Sequence, residues 1–180
     1  MRNKFSNGVS DYSVHEEFSK AKENAMYMKK IYIDNNKGEK SEYLSLFKKS
    51  DDLMENYHKK TIDSKSLELL RKMNIGKIKE RRISNCKLIE NILKDNVNVK
   101  LLFKYHEGDC PLFVPIMINN RDEARKKLIE NHIYLPVHWP NELEKNNRLY
   151  DSELSLVCDQ RYDNSDIEEY ISFLNNLVQE

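Results

Sequence analysis

The sequence predicts an α+β protein with a small antiparallel or mixed sheet flanked by helices, and an N-terminal helical extension. Three observations carry this. Residues 1–73 hold helical apolar spacing and no extended series. After about residue 95 the spacing changes from a period near 3.6 to a period of two. Short apolar runs then alternate with helix-opening patterns at Asn120/Glu123 and Ser165/Glu168. The expected division is a divergent, mainly helical extension over 1–73 and a compact module over 74–180.

Residues 1–15 lack any period and read as a frayed lead-in. Residues 16–34 and 41–58 are helical candidates parted by Asn35-Asn36-Lys37-Gly38, although Tyr32 and Ile33 also suit a strand. Tyr43, Leu44, Phe47, Leu53, Met54 and Tyr57 form the stripe of the second. Ser64 or Ser66 caps a short helix bearing Leu67, Leu69, Leu70 and Met73. A longer helix runs from Asn74/Gly76 to about Lys94 on Ile78, Ile83, Cys86, Ile89, Ile92 and Leu93.

Val97, Val99, Leu101 and Phe103 then alternate as a half-buried strand. Gly108-Asp109 turns the chain into Leu112–Ile118, where Pro115 argues for an edge or bulged strand. A capping box at Asn120/Glu123 opens a helix with Ala124, Leu128 and Ile129. Ile133–Trp139 is extended, and residues 141–152 form a loop or short helix. Leu154–Cys158 is the last strand, followed by a helix opened by Ser165/Glu168 and carrying Ile167, Tyr170, Ile171, Leu174, Leu177 and Val178.

Composition narrows the function classes. The chain has 180 residues, 39% hydrophobic and 33% charged, enough for one sizeable core with an extension. No apolar run is long enough for a membrane span and no signal-peptide core is present, so a cytoplasmic protein is expected. Cys86, Cys110 and Cys158 are isolated and odd in number, and read as free thiols. Net charge is zero, yet residues 1–100 carry 22 Lys/Arg against 15 Asp/Glu and residues 101–180 carry 8 against 15. Two ordinary solvated surfaces account for this; a basic part facing an acidic partner or anionic ligand is the sharper reading. The basic residues are not interleaved with aromatics, which argues against nucleic acid.

The densest chemical cluster is Tyr134, Pro136, His138, Trp139 and Pro140. Two prolines stiffen a loop that presents an imidazole and an indole, suited to a flat or sugar-like ligand. A rigid turn with Trp139 plugging the core explains the same residues. His138 has the chemistry of a base or hydrogen-bond donor, but no nucleophile accompanies it. His106, Asp109 and Cys110 fit no metal spacing and read as a polar turn. No phosphate-binding Gly-rich loop, HExxH or CxxC occurs. Asp159, Gln160, Arg161 and Tyr162 follow the last strand, either facing a neighbouring domain or serving as a connector.

The run Leu112–Pro140, with Arg121-Asp122 at a helix start, Ile133 at a strand start and His138-Trp139-Pro140 as a ring-proline loop, resembles the small C-terminal domain of the DegT/DnrJ/EryC1/StrS aminotransferases. Leu154–Tyr162 is similar to the family's final strand, with Val157 where proline is usual. Ser165–Glu168 resembles the last-helix cap, and Ile78–Leu93, with Arg81, Arg82 and Asn85, the helix that links the two domains. The resemblance covers residues from about 74 to 178.

It implies the C-terminal domain of a fold-type I, pyridoxal-phosphate enzyme acting on nucleotide-linked keto-sugars. It also implies substrate-side contacts from Tyr134, His138, Trp139, Arg161 and Tyr162. The family's cofactor lysine and its supporting Asp lie in a large domain, and the 73 residues before Asn74 show no βαβ series to hold a cofactor. Hence no catalytic residue is assigned and no cofactor is expected on this chain alone, with pyridoxal phosphate bound only if a large domain completes it. Expected partners are that large domain or a second copy, and a nucleotide-sugar ligand. The expected function is a truncated or split portion of such an enzyme, inactive alone. The alternative is a non-catalytic sugar- or protein-binding α/β module.

Overall fold

The structure is a computed structural model that describes residues 13–55, 59–138 and 148–179. The backbone divides into two compact units, Met1–Met73 and Asn74–Glu180.

The first unit comprises β1 (Ser13–Val14), α1 (Glu16–Asn35), α2 (Lys40–Glu55), β2 (Lys60–Thr61) and α3 (Ser64–Lys72). Tyr32 and Ile33 belong to α1, which ends on Asn36 in the left-handed region at φ 51°. Small Ala21 and Ala25 let α1 approach α2 closely, and Tyr43 is buried there with its ring 5.6 Å from that of Tyr32. The end of the lead-in is not frayed: β1 pairs in parallel with β2, Ser13 with Lys60 and Val14 with Thr61. The cap of α3 is Asp63 rather than Ser64 or Ser66. Its carboxylate accepts from the Ser66 N–H, and Ser19 Oγ of α1 donates to it at 2.8 Å. The bonds from Ser66 and Ser19 hold the Asp63 carboxyl down at about 2.

The second unit comprises α4 (Ile75–Leu93), β3 (Val99–Leu101), β4 (Phe113–Ile118), α5 (Arg121–Glu130), α6 (Arg148–Ser152), β5 (Glu153–Val157) and α7 (Asn164–Leu177). Its sheet is antiparallel in the order β3-β4-β5. Val114, Ile116 and Ile118 of β4 and Leu154 and Leu156 of β5 share one buried cluster with Ile89 and Leu93 of α4, Leu128 of α5, and Ile167, Ile171 and Leu174 of α7. Helices therefore cover the face of these residues.

Pro115 lies in the central strand, not at an edge. Its carbonyl accepts from Leu102 N–H, so its missing donor faces the β3 side just where β3 ends at Leu101. The ladder to β5 loses nothing, and the strand expected over Val97–Phe103 shrinks to three residues. Val97 and Phe103 are exposed at 95% and 63%.

The helix caps also differ from the sequence pattern. Asn120 precedes α5 in the left-handed region at φ 52°, and its side chain makes no capping bond. The capping box of α7 is Asp163 with Asp166, two residues before the Ser165/Glu168 pattern. A side chain caps from the last non-helical residue, and Asp163 holds that position with an extended backbone. Cys86 and Cys158 are buried, Cys110 is exposed, and all three are free thiols. No described helix is long and apolar enough to cross a membrane.

Truncating the fully buried Leu156 to Ala is expected to destabilise the second unit by about 2–5 kcal/mol, read from urea unfolding. Because the folded pKa of Asp63 lies below its unfolded value of 3.8, its contribution is complete above that value and is lost as pH falls towards 2. Asp63→Ala should unfold at higher pH on the acid limb of a circular-dichroism titration and converge with the unmodified chain at the acid extreme.

Candidate functional site

Side chains alternate along a strand, so the residues of β4 and β5 that do not face the helices define a second sheet face. On it stand Phe113, Pro115 and Met117, paired with Val157, Ser155 and Glu153 respectively. Glu153 and Ser155 are fully buried. A strand with Leu154 and Leu156 inward and acid and hydroxyl outward would normally leave the outer pair in water. Here residues 133–138, which form no strand although one was expected from Ile133, contact them. They lie along the free edge of β5, tied by the Ser155 N–H to the Pro136 carbonyl at 3.0 Å.

The segment ends at His138, whose backbone N–H donates to Glu153 Oε2 at 2.9 Å. Its Nδ1 lies 2.7 Å from Ser155 Oγ, and Ser155 Oγ donates to Glu153 Oε1 at 2.6 Å. The imidazole packs on Phe113 with ring centroids 4.4 Å apart. His138 is thus held by three side chains of β4 and β5, while the residue as a whole remains exposed.

Arg121 supports the same strand from the start of α5. It is buried, with Nη1 donating to the Glu153 carbonyl at 2.8 Å, Nη2 to the Tyr150 carbonyl at 2.6 Å and Nε to Asp122. One guanidinium thereby closes the orphan carbonyls at the junction of α6 and β5.

Beyond β5, Asn85 of α4 donates from Nδ2 to the carbonyls of Asp159 and Tyr162, clamping the connector to α7. Its buried Oδ1 has no partner among the described residues. Burial pushes the Asp159 carboxyl up, but the Arg161 guanidinium and N–H bonded to it, with the charge of Arg82, hold it below the usual carboxylate range. Arg161 also lies over the Tyr162 ring, 5.6 Å from its centroid.

The residues expected to form one cleft fall in two places. Tyr134 and Tyr162 line a groove of about 570 Å³ with Tyr170, Phe173, Asp166 and Glu169, and Arg161 flanks it through Tyr162. His138 instead belongs to the Glu153–Ser155 network. Trp139 lies outside the described residues. The residues that sequence reasoning missed are Glu153, Ser155 and Arg121 as parts of the site. The only signal for the first two was a polar residue at alternate positions of an otherwise apolar strand. A larger groove, about 840 Å³, belongs to the first unit and holds none of the expected site residues.

No known protein-family profile matches the chain, and no curated protein matches it in sequence. Its fold is similar to the aminotransferase TlmJ from Streptoalloteichus hindustanus, with a TM-score of 0.51 and 17% identity over 62% of this chain and 34% of that one. Two further likenesses are to S. venezuelae DesV in complex with a ketimine intermediate (TM-score 0.50, 16% identity, 58% and 33% covered) and to the putative sugar aminotransferase Spr1654 from Streptococcus pneumoniae in its PLP form (0.50, 11%, 57% and 31%). The likeness is one of fold, to part of each of these three aminotransferases. The chain spans about a third of the length of each of these three.

The described residues do not fit the cofactor. A lysine that anchors pyridoxal phosphate needs desolvated surroundings, and every described lysine is exposed or half-buried. No group of three or more His, Cys, Asp or Glu among the described residues could hold a metal ion.

Replacing Arg121 by Ala leaves the Glu153 and Tyr150 carbonyls without their donor, and should cost about 3 kcal/mol of stability in a chemical denaturation experiment. Arg121→Lys should recover only part of that, because an ammonium lacks the planar fork that reaches both carbonyls.

Proposed function

We propose that residues 74–180 are the small-domain counterpart of a sugar aminotransferase, furnishing substrate-side contacts to a site whose cofactor is held by other residues. The observation that carries this reading is the conjunction of a fold shared with part of three aminotransferases and the lack of a buried lysine among the described residues. In this reading the sheet face covered by His138 is turned to a nucleotide-linked keto-sugar, and His138 walls one side of the cleft. Arg161 and Tyr162 approach from the connector after β5. The chain's own residues would bind and orient the sugar and exclude water from it. They would move no proton to or from a cofactor, and a partner bearing the cofactor lysine is required.

A second reading is supported by the groove that holds Tyr134. Four aromatic rings with Asp166 and Glu169 beside them form a surface suited to stacking on a sugar ring and accepting from its hydroxyls. This is the arrangement of a non-catalytic sugar-binding module.

Calorimetric titration of the full chain with a UDP-linked keto-sugar, alone and with a large-domain partner, tests both. In the first reading His138→Ala lowers affinity about tenfold, as expected for a lost polar contact of about 1.4 kcal/mol, and Tyr134→Ala on the groove does less. In the second the order reverses. Incubation with pyridoxal phosphate and borohydride should label no single lysine stoichiometrically; a stoichiometric label at one position would overturn the proposed division of labour.

A further inference from the structure

The network at His138 contains more chemical information than the position of a ring. Ser155 Oγ has one proton and two neighbours, Glu153 Oε1 at 2.6 Å and His138 Nδ1 at 2.7 Å. A carboxylate only accepts. Both oxygens of Glu153 are engaged as acceptors, Oε2 by the His138 backbone N–H and Oε1 by the serine. The serine proton therefore points to Glu153, and the serine oxygen is left to accept from the ring. A contact of 2.7 Å between two acceptors would be repulsive, so the proton between Ser155 and His138 sits on Nδ1.

We infer that Glu153 and Ser155 are positioning residues that lock His138 in the Nδ1–H tautomer, so that its Nε2 meets any partner as a hydrogen-bond acceptor. An imidazole free in water favours the other tautomer, with the proton on Nε2. The buried acid thus reverses an intrinsic preference through one hydroxyl, as the hydrogen bond at one ring nitrogen decides the character of the other. Packing against Phe113 fixes the ring plane. Neither Glu153 nor Ser155 has this role through contact with a ligand, since both are fully buried. The consequence for ligand choice rests on the proposed function. In the neutral ring Nε2 accepts, so the group it meets is a donor, such as a sugar hydroxyl or an amino group, and not a phosphate or carboxylate oxygen. Locking the tautomer also removes the cost of choosing it when the ligand arrives.

The test reads the tautomer directly in the unliganded, ¹⁵N-labelled full chain by two-bond ¹H–¹⁵N correlation of the imidazoles, at a pH above their titration. The spectrum of His138→Gln identifies the resonances. The expected pattern for His138 is a protonated Nδ1 and an unprotonated Nε2. Ser155→Ala removes the acceptor and should return the ring to the Nε2–H form favoured in water. Glu153→Gln should invert it by a different route. The amide has one acceptor oxygen, which the His138 N–H claims, so its NH₂ donates to Ser155 and the serine proton turns to Nδ1.

An Nε2–H pattern in the unmodified chain would overturn the inference, as would an unchanged pattern in Ser155→Ala. If burial of the glutamine prevents folding, as seen by loss of amide dispersion, Ser155→Ala still decides, because the smaller side chain leaves the β-ladder intact. No ligand enters the measurement, so a failure of sugar binding leaves this result standing, and a wrong tautomer leaves the proposed fold relationship untouched.

Discussion

β5 is buried on both faces, and the two faces differ in character. Leu154 and Leu156 close the helix-covered core, while Glu153 and Ser155 lie just as deep on the other side. Burying a carboxylate and a hydroxyl is tolerable only when each polar atom finds a partner. That requirement organises the whole region. It brings in the His138 backbone and ring, and it fixes where segment 133–138 must run.

Arg121 answers the same constraint from the other side. Its guanidinium supplies donors to two carbonyls that a short α6 and the entry to β5 leave open. A lysine has one point charge and cannot bridge them in a plane, which gives the residue type a physical reason. Asn85 plays the equivalent part beyond β5, where its amide holds the turn that carries Arg161 and Tyr162. The flanks of β5 are therefore pinned by side chains from α4 and α5. The arrangement of side chains around it is a consequence of that pinning more than of loop composition.

Fold relationship and site chemistry need separate weight. The fold is similar to part of three aminotransferases at identities of 11–17%. Such a likeness speaks of backbone, and the chemistry has to be argued from the side chains present. Those side chains orient an imidazole and offer aromatic rings, and none of the described lysines is desolvated.

Much of the fold was written in local pattern. The helices α2, α3, α4, α5 and α7 and the strands β4 and β5 followed from apolar runs and spacing, because burial of one face imposes the period on the sequence. Capping was harder to read. Ser165/Glu168 and Asn120/Glu123 match the pattern, yet Asp163 caps one helix and Asn120 caps nothing, since capping depends on backbone angles that residue type does not set. Pro115 read as an edge or bulged position, but only the endpoint of β3 decides whether a missing donor is harmful. The sequence by itself determined most of the helices, the strands β4 and β5 and the ring-bearing segment at 133–138, but not the β1–β2 pair or the short extent of β3. Tertiary structure alone decided that Glu153 and Ser155 meet His138 while Tyr134 and Tyr162 meet elsewhere. Those contacts join residues 15 and more positions apart, and no local periodicity encodes which covered face a polar side chain will find.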